Sequence, residues 1–369
     1  MLGKFIDRVL KKQWSDEQVQ NYIGSHKASY ITHAADSAIR QNAASGGVTS
    51  ALLIHGLHSG IFDGTLVCKT VLVNGKVRAK FEIATTVNEI FKAQGSKYVE
   101  TQFLQEVLPL LRAFKGRVAV VGLPCDISAL RHRCDKEPAL AKKVALTIAL
   151  FCGHNSRTGL VDGITSRLER ETGQKLKDYK FRVGHWRGRL EADFENGTSI
   201  SKPSKYFNDY QNLFFFCERK CMACSDHYGY HADISIGDIW LFRLREDPIK
   251  HSGLIIRTEF GEKVFRSALD ASKIVSKDID VRDVMDGQSR IGPSHYNVTS
   301  RVRVGRFFGL KLKDTVNQPV TWHAYLNAFI TIANMRLAET SWGRKLIFMI
   351  PKPILKIALY LKKALESLK

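Results

Sequence analysis

Two apolar runs, RVAVVG at residues 117–122 and VALTIALF at residues 144–151, each lead directly to a cysteine, Cys125 in GLPCD and Cys152 in LFCGH. Short runs this apolar, rich in Val, Ala and Leu, read as strands buried on both faces, the mark of parallel strands covered by helices. Parallel strands of one sheet end on one edge. Both thiols are therefore expected at the carboxyl edge, where open α/β sheets bind their ligands.

A third cysteine-bearing stretch runs from Phe216 to Trp240, FCERKCMACSDHYGYHADISIGDIW, and places Cys217, Cys221 and Cys224 within eight residues as C-x3-C-x2-C. That spacing lets three thiolates face one metal or cluster from a tight loop. A tetrahedral zinc or a cubane iron–sulfur cluster normally takes four protein ligands, and Cys125 and Cys152 are the candidates for the fourth. Cys68 lies in an alternating strand and reads as a small buried hydrophobe. Cys134 ends the helix ISALRHRC and faces the opposite edge. The first residues, MLGKFIDRVLKKQW, are charged every few positions and lack the apolar core of a signal peptide, so a cytoplasmic location is expected. In that compartment thiols stay reduced, and an odd total of seven cysteines favours metal ligation over disulfides.

The remaining elements fill in the fold. LVCKTVLVNGKVRAKFEI alternates about Asn74-Gly75, a strong hairpin signal, and is expected beside the sheet; Asn196-Gly197 marks a second hairpin. HADISIGDIW and SGLIIRTEF read as strands, and GEKVFRSALDAS as a helix. Ser45-Gly46-Gly47 precedes the helical VTSALLIHGLHSG, so free N–H groups and the helix dipole at that turn favour a phosphate. The expected class is α/β: a mixed sheet with flanking helices and inserted β-hairpins, plus a basic helical C-terminal extension. Three segments follow: basic amphipathic helices over 1–29, an α/β domain over 30–284, and the extension over 285–369.

At 369 residues and 44% hydrophobic the chain can bury a sizeable core, but its net charge of +20 calls for an anionic partner. The charge concentrates at the ends, where MLGKFIDRVLKK and ILKIALYLKKALESLK have helical apolar faces opposite Lys and Arg. Such helices either pack on the body with a solvated basic face or lie on an anionic membrane surface, with Trp342, Phe348 and Met349 just upstream. Pro351, Lys352, Pro353 and Lys356 break the last apolar stretch well short of the roughly 20 residues a spanning helix needs. A zinc protein that binds nucleic acid is an alternative, resting on C-x3-C-x2-C and Arg306-Phe307-Phe308. No module fingerprint accompanies it, so nucleic acid is not the expected partner.

Six blocks in order also resemble one known family between about Tyr30 and Asp270. These are AIRQNAASGGVTSALL, QGSKYVET, VGLPCDISALR, LFCGHNS, CMACSDHYGYHADISIGDIW and GLIIRTEFGEKVF. They are similar to the deazaflavin-coenzyme (F-420) hydrogenase/dehydrogenase beta-subunit family, and the resemblance is to its bacterial polysaccharide-locus type. It implies an oxidoreductase with FAD and a 4Fe-4S cluster, taking electrons from an external donor such as ferredoxin and passing them to an organic substrate. A sugar or lipid-linked sugar is the substrate class implied; the alternative is an electron-transfer subunit of a larger complex. Carried over block by block, the cluster ligands are Cys125, Cys152, Cys221 and Cys224, with Cys217 the odd one out. The flavin is expected against Ser45, Gly46, Gly47, Val48 and Thr49, with Ser96, Lys97, Tyr98, Asn155, Asp233, Ser235 and Asp238. Leu123 and Asp126 depart from the family's GTPCQ pattern, and nothing before Cys68 supplies a ferredoxin-like module, so one cluster at most is expected.

Overall fold

The computed structural model describes residue 7 and residues 11–368. The amphipathic helix expected over the first residues falls largely outside the described residues. The core element is a mixed eight-stranded sheet in the order β11-β1-β10-β9-β5-β4-β2-β3. Its middle is parallel: β2 (Gly64–Val73), β4 (Val118–Gly122), β5 (Val144–Leu150) and β9 (Ile234–Asp238) run side by side. Apolar residues buried on both faces of β4 and β5 explain why these segments sit at the centre, between helices. Both edges are antiparallel. On one, β3 (Lys76–Ala84) folds back on β2 around Asn74 and Gly75, whose φ angles of 51° and 71° suit the hairpin turn. This hairpin is therefore part of the main sheet rather than an insertion beside it.

On the other edge β10 (Ser252–Ile256) pairs with β9, β1 (Ala28–Ala34) with β10, and β11 (Ile274–Asp278) with β1. The strands β1 and β11 were not foreseen, because each is short and acquires its partner only through tertiary pairing. A separate antiparallel sheet of β6 (Leu176–Val183), β7 (Arg189–Phe194) and β8 (Ser199–Pro203) carries the second hairpin, with Gly197 at φ 85° in its turn.

After residue 290 the chain is helical: Ile291–Tyr296, Val298–Phe307, Trp322–Leu337, Ser341–Met349 and Lys352–Ser367. These helices share cores with the body instead of extending from it. Ile347, Leu355 and Leu359 pack with Tyr179, Phe207 and Phe216, while Val304, Ile332 and Met335 surround Cys217, Cys221 and Met222. In the last helix Leu355, Leu359 and Lys362 form the buried stripe at i, i+4, i+7, and Ile354, Ile357 and Leu361 stay exposed on the far side. Among the described residues no helix is long and apolar enough to cross a membrane.

Candidate functional site at the carboxyl edge

Strands β4 and β5 end on the same edge, and each releases its cysteine into the turn that follows. Cys125 is the second residue of the helix Pro124–Lys136, whose start is braced by Asp126 accepting the Leu123 N–H at 3.3 Å. Cys152 lies just past β5, its N–H donating to the His227 carbonyl at 3.0 Å. The C-x3-C-x2-C loop arrives from outside: Cys221 sits in the 3-10 helix Arg219–Ala223, Cys224 closes it, and Cys217 pairs with Ser156 in an isolated bridge. The thiols of Cys125, Cys152, Cys221 and Cys224 line one narrow cavity of about 40 Å³ with His154, Asn155, Lys220, Asp226 and His295. Among the described residues no group of three or more His, Cys, Asp or Glu is placed to hold a metal ion.

The electrostatics of this cavity suit a positive core. Burial, with the neighbouring sulfurs, holds the Cys125 and Cys152 thiols well above the usual range, and burial pushes Cys224 up to about 11. Cys221 moves the other way, because the Cys217 thiol bonds to it and the Asn155 N–H donates to its sulfur at 3.4 Å. Four sulfurs lining one small cavity can all ionise only around a cationic centre, which is the role of a metal–sulfur core. The donor set therefore fits a thiolate-ligated cluster. Cys217 is buried behind Cys221, among Met222, Val304 and Ile332, and does not line the cavity.

The residues expected around a flavin divide into two groups. The first lies along the same edge. Gly46 donates its N–H to Ser252 Oγ at 3.0 Å and accepts from Ala34 at 2.7 Å, and Ser45 Oγ donates to the His251 carbonyl at 2.9 Å. Gly47, at φ 77°, then caps the helix Val48–His58, leaving the first amides, those of Val48 and Thr49 included, without intrahelical partners. A Cβ on Gly46 would meet the Thr32 carbonyl at 2.8 Å, and one on Gly47 would meet Ile39 Cγ2 at 2.9 Å, so the fold itself requires both glycines. Gln94 Nε2 donates to Ser50 Oγ at 3.0 Å, and Asn155 Nδ2 to the Val99 carbonyl at 3.1 Å. The loop holding Ser96, Lys97 and Tyr98 thus runs from the glycine turn to the cysteine cavity. Tyr98 packs its ring on Phe181 and Phe207, and Asp238, ending β9, is ion-paired to Arg182 at 2.5 Å.

Three of the expected residues are engaged elsewhere in the structure. The Lys97 ammonium bonds the carbonyls of Ala93, Gln94 and Gly95 of its own loop, and burial depresses it to about 8. Asp233 lies at the amino end of β9, on the opposite edge, where it accepts from Thr147 N–H and Oγ1 at 2.8 Å, Arg131 at 2.7 Å and Thr258 at 2.8 Å. Ser235 is buried within the strand, accepting from Arg257 at 2.7 Å and donating to the Gly229 carbonyl at 3.1 Å. Beside the glycine turn the Lys250 ammonium bonds the Ala43 and Gln41 carbonyls, and the Arg40 guanidinium bonds those of Ala34 and Ala35.

Sequence reasoning also missed the residues that surround the cysteines. Arg301, His154, Lys220 and His295 come from separate elements, and the one legible hint is a charge among the valines of VTSRVRVGRF. His154 stacks on Phe214 with ring centres 4.0 Å apart, and burial together with the nearby Lys362 depresses it to about 4. On the same edge a second cavity, of about 410 Å³, is lined by Trp240, Arg187, Arg243, Gln288, Arg290 and Ile291 among others. Ile291 of this lining also packs against Gly153, beside Cys152, where a Cβ would meet it at 2.9 Å.

Fold and site together define an α/β protein that gathers four thiols, Cys221 buried and Cys125, Cys152 and Cys224 half-buried, at the carboxyl edge of a mixed sheet. The chain belongs to the coenzyme F420 hydrogenase/dehydrogenase beta-subunit family: residues 29–108 match the N-terminal model of that family and residues 115–282 its C-terminal model. It is 26% identical over 264 residues to the coenzyme F420 hydrogenase subunit beta of Methanosarcina barkeri, covering 70% of this chain and 84% of that protein. The subunit of the same name from Methanococcus voltae is 27% identical over 269 residues, covering 72% and 88%. Among solved structures, a chain of the F420-reducing NiFe hydrogenase complex from Methanosarcina barkeri shares the fold, with a TM-score of 0.59 at 22% identity over 82% of this chain and 99% of that one.

Proposed function

We propose that the chain is an electron-transfer subunit of a redox complex, holding a 4Fe-4S cluster through Cys125, Cys152, Cys221 and Cys224 and FAD along the edge from the glycine turn to Asn155. The observation that carries this reading is the convergence of four thiols from three separate chain segments on one buried cavity. When bound, the cluster supplies one-electron and the flavin two-electron chemistry, so together they join a single-electron donor such as ferredoxin to a hydride acceptor. The protein's part is to position and to exclude water. Asn155 bridges the two regions, its N–H on the Cys221 sulfur and its amide on Val99 of the edge loop. Met222, Val304, Ile332 and Met335 seal the rear of the cysteine loop. The Val48–Thr49 amides are available to a pyrophosphate, and the cavity over Trp240, Arg187 and Arg290 suits an anionic electron acceptor. Work as a subunit accords with relatives that are themselves named as hydrogenase subunits. Anaerobic purification tests the reading: iron and sulfide at about four each per chain, with flavin absorption, support it. Colourless, zinc-loaded protein refutes it.

We also infer that the C-terminal helices contact an anionic membrane surface, which would bring a lipid-linked substrate, such as a lipid-linked sugar, within reach. Trp342, Leu346 and Met349 on one helix, and Ile354, Ile357 and Leu361 on the next, form exposed apolar stripes at i, i+3/i+4, i+7. Exposed Lys345, Lys352 and Lys356 accompany them. Each lysine near an acidic bilayer contributes about 1 kcal/mol, and apolar burial adds to it.

A further inference from the structure

The family match ends at residue 282, yet the cysteine cavity is completed by residues beyond it. His295, from the helix Ile291–Tyr296, lines the cavity, and Arg301, from the helix Val298–Phe307, clasps the cysteine loop from behind. Arg301 is 7% exposed. It donates to the carbonyls of Met222 at 2.9 Å, Cys224 at 2.9 Å, Ser294 at 2.8 Å and His295 at 2.6 Å. Among the described residues no carboxylate pairs with it, whereas the buried Lys362 and the partly buried Arg290 share Glu366. A buried guanidinium with only neutral acceptors is costly unless an anion lies close. The nearest anions on offer are the sulfurs of Cys217, Cys221 and Cys224, on which its charge acts directly.

We propose that Arg301 is the charge-balancing residue of the cysteine centre, holding the Cys221–Cys224 loop in place and raising the reduction potential of the iron–sulfur group bound there. This rests on the iron–sulfur reading above. Four thiolates make the whole assembly anionic, and reduction adds a further negative charge beside a fixed buried cation, so the reduced state gains more from Arg301 than the oxidised state. The helices at 291–307 are then a cap on the centre rather than an appendage, and Arg301 is a positioning residue that acts through its charge.

The test compares wild-type protein with Arg301→Gln and Arg301→Lys, purified anaerobically as full chains. Iron and acid-labile sulfide are measured first, then the cluster's midpoint potential by spectroscopic titration. Expected are a lower midpoint in Arg301→Gln and a midpoint near wild type in Arg301→Lys, which keeps the charge without the planar fork. Full iron with an unshifted midpoint in Arg301→Gln overturns the proposal. If Arg301→Gln loses its iron, the lysine variant decides: retained iron supports the role of charge, and lost iron assigns the residue to the carbonyl clasp alone and overturns it. Wild-type protein without iron sinks the iron–sulfur reading and this proposal together, whereas an iron-replete wild type confines any failure to Arg301.

Discussion

Replacing Glu366 by Gln should destabilise the protein by about 3–5 kcal/mol, the usual cost of removing one partner from a buried ion pair. The carboxylate is 2% exposed in its side chain and is the shared acceptor for Lys362, 1% exposed, and Arg290. Arg290 is partly exposed and can recover water, so most of the penalty falls on Lys362. That ammonium lies 4.4 Å from the centre of the Phe214 ring and has no other carboxylate among the described residues. A ceiling exists, because the lysine can give up its proton instead of staying charged. Bringing an ordinary lysine to neutrality at pH 7 costs about 5 kcal/mol at about 1.4 kcal/mol per unit. The assay is urea denaturation followed by circular dichroism, read as a shift in midpoint at constant slope. Pairing Glu366→Leu with Lys362→Met should recover much of the loss, since apolar replacement of a buried pair is often near neutral. A Glu366→Gln midpoint within about 1 kcal/mol of wild type would refute the buried triad and return the last helix to the status of a loose basic tail.

Cys125→Ser, Cys152→Ser, Cys221→Ser and Cys224→Ser should each lose most bound iron, because serine oxygen is a hard, poor ligand at a thiolate site. Cys217→Ser should stay near wild type, and iron analysis that ranks it with the other four would promote it to ligand. Thr49→Asp places a carboxylate where a pyrophosphate would lie, yet favours the helix through its dipole, so the chain should fold and lose flavin. Stoichiometric FAD after gel filtration of that variant would remove the flavin from the glycine turn. Gly47→Val is the poorer probe, since its side chain would strain the turn whether or not a flavin binds there. In liposome flotation the full chain should rise with anionic but not neutral vesicles, and Trp342→Ser with Ile357→Gln and Leu361→Gln should stay below; equal flotation of both chains ends the membrane reading.

The sequence by itself determined the parallel centre of the sheet, because unbroken apolar runs can be buried on two faces in few other ways, and β4 and β5 then had to deliver Cys125 and Cys152 to one edge. It determined both Asn-Gly hairpins, whose turns need left-handed residues at fixed positions. The cysteine loop was legible for a similar reason, since its spacing is local. What depended on direction was not legible: ADISIGD reads as one motif, but a strand sends Asp233 and Asp238 to opposite edges, where one braces Thr147 and Arg131 and the other faces Arg182. Nor was the fate of the basic residues. Arg301, Lys362 and Lys356 look alike in the chain, and tertiary packing alone put the first two inside, against the cysteine loop and Glu366, and left the third in water. Burial of a charge depends on which carbonyls, carboxylates and sulfurs arrive from distant segments to receive it, and that is information the linear pattern does not hold.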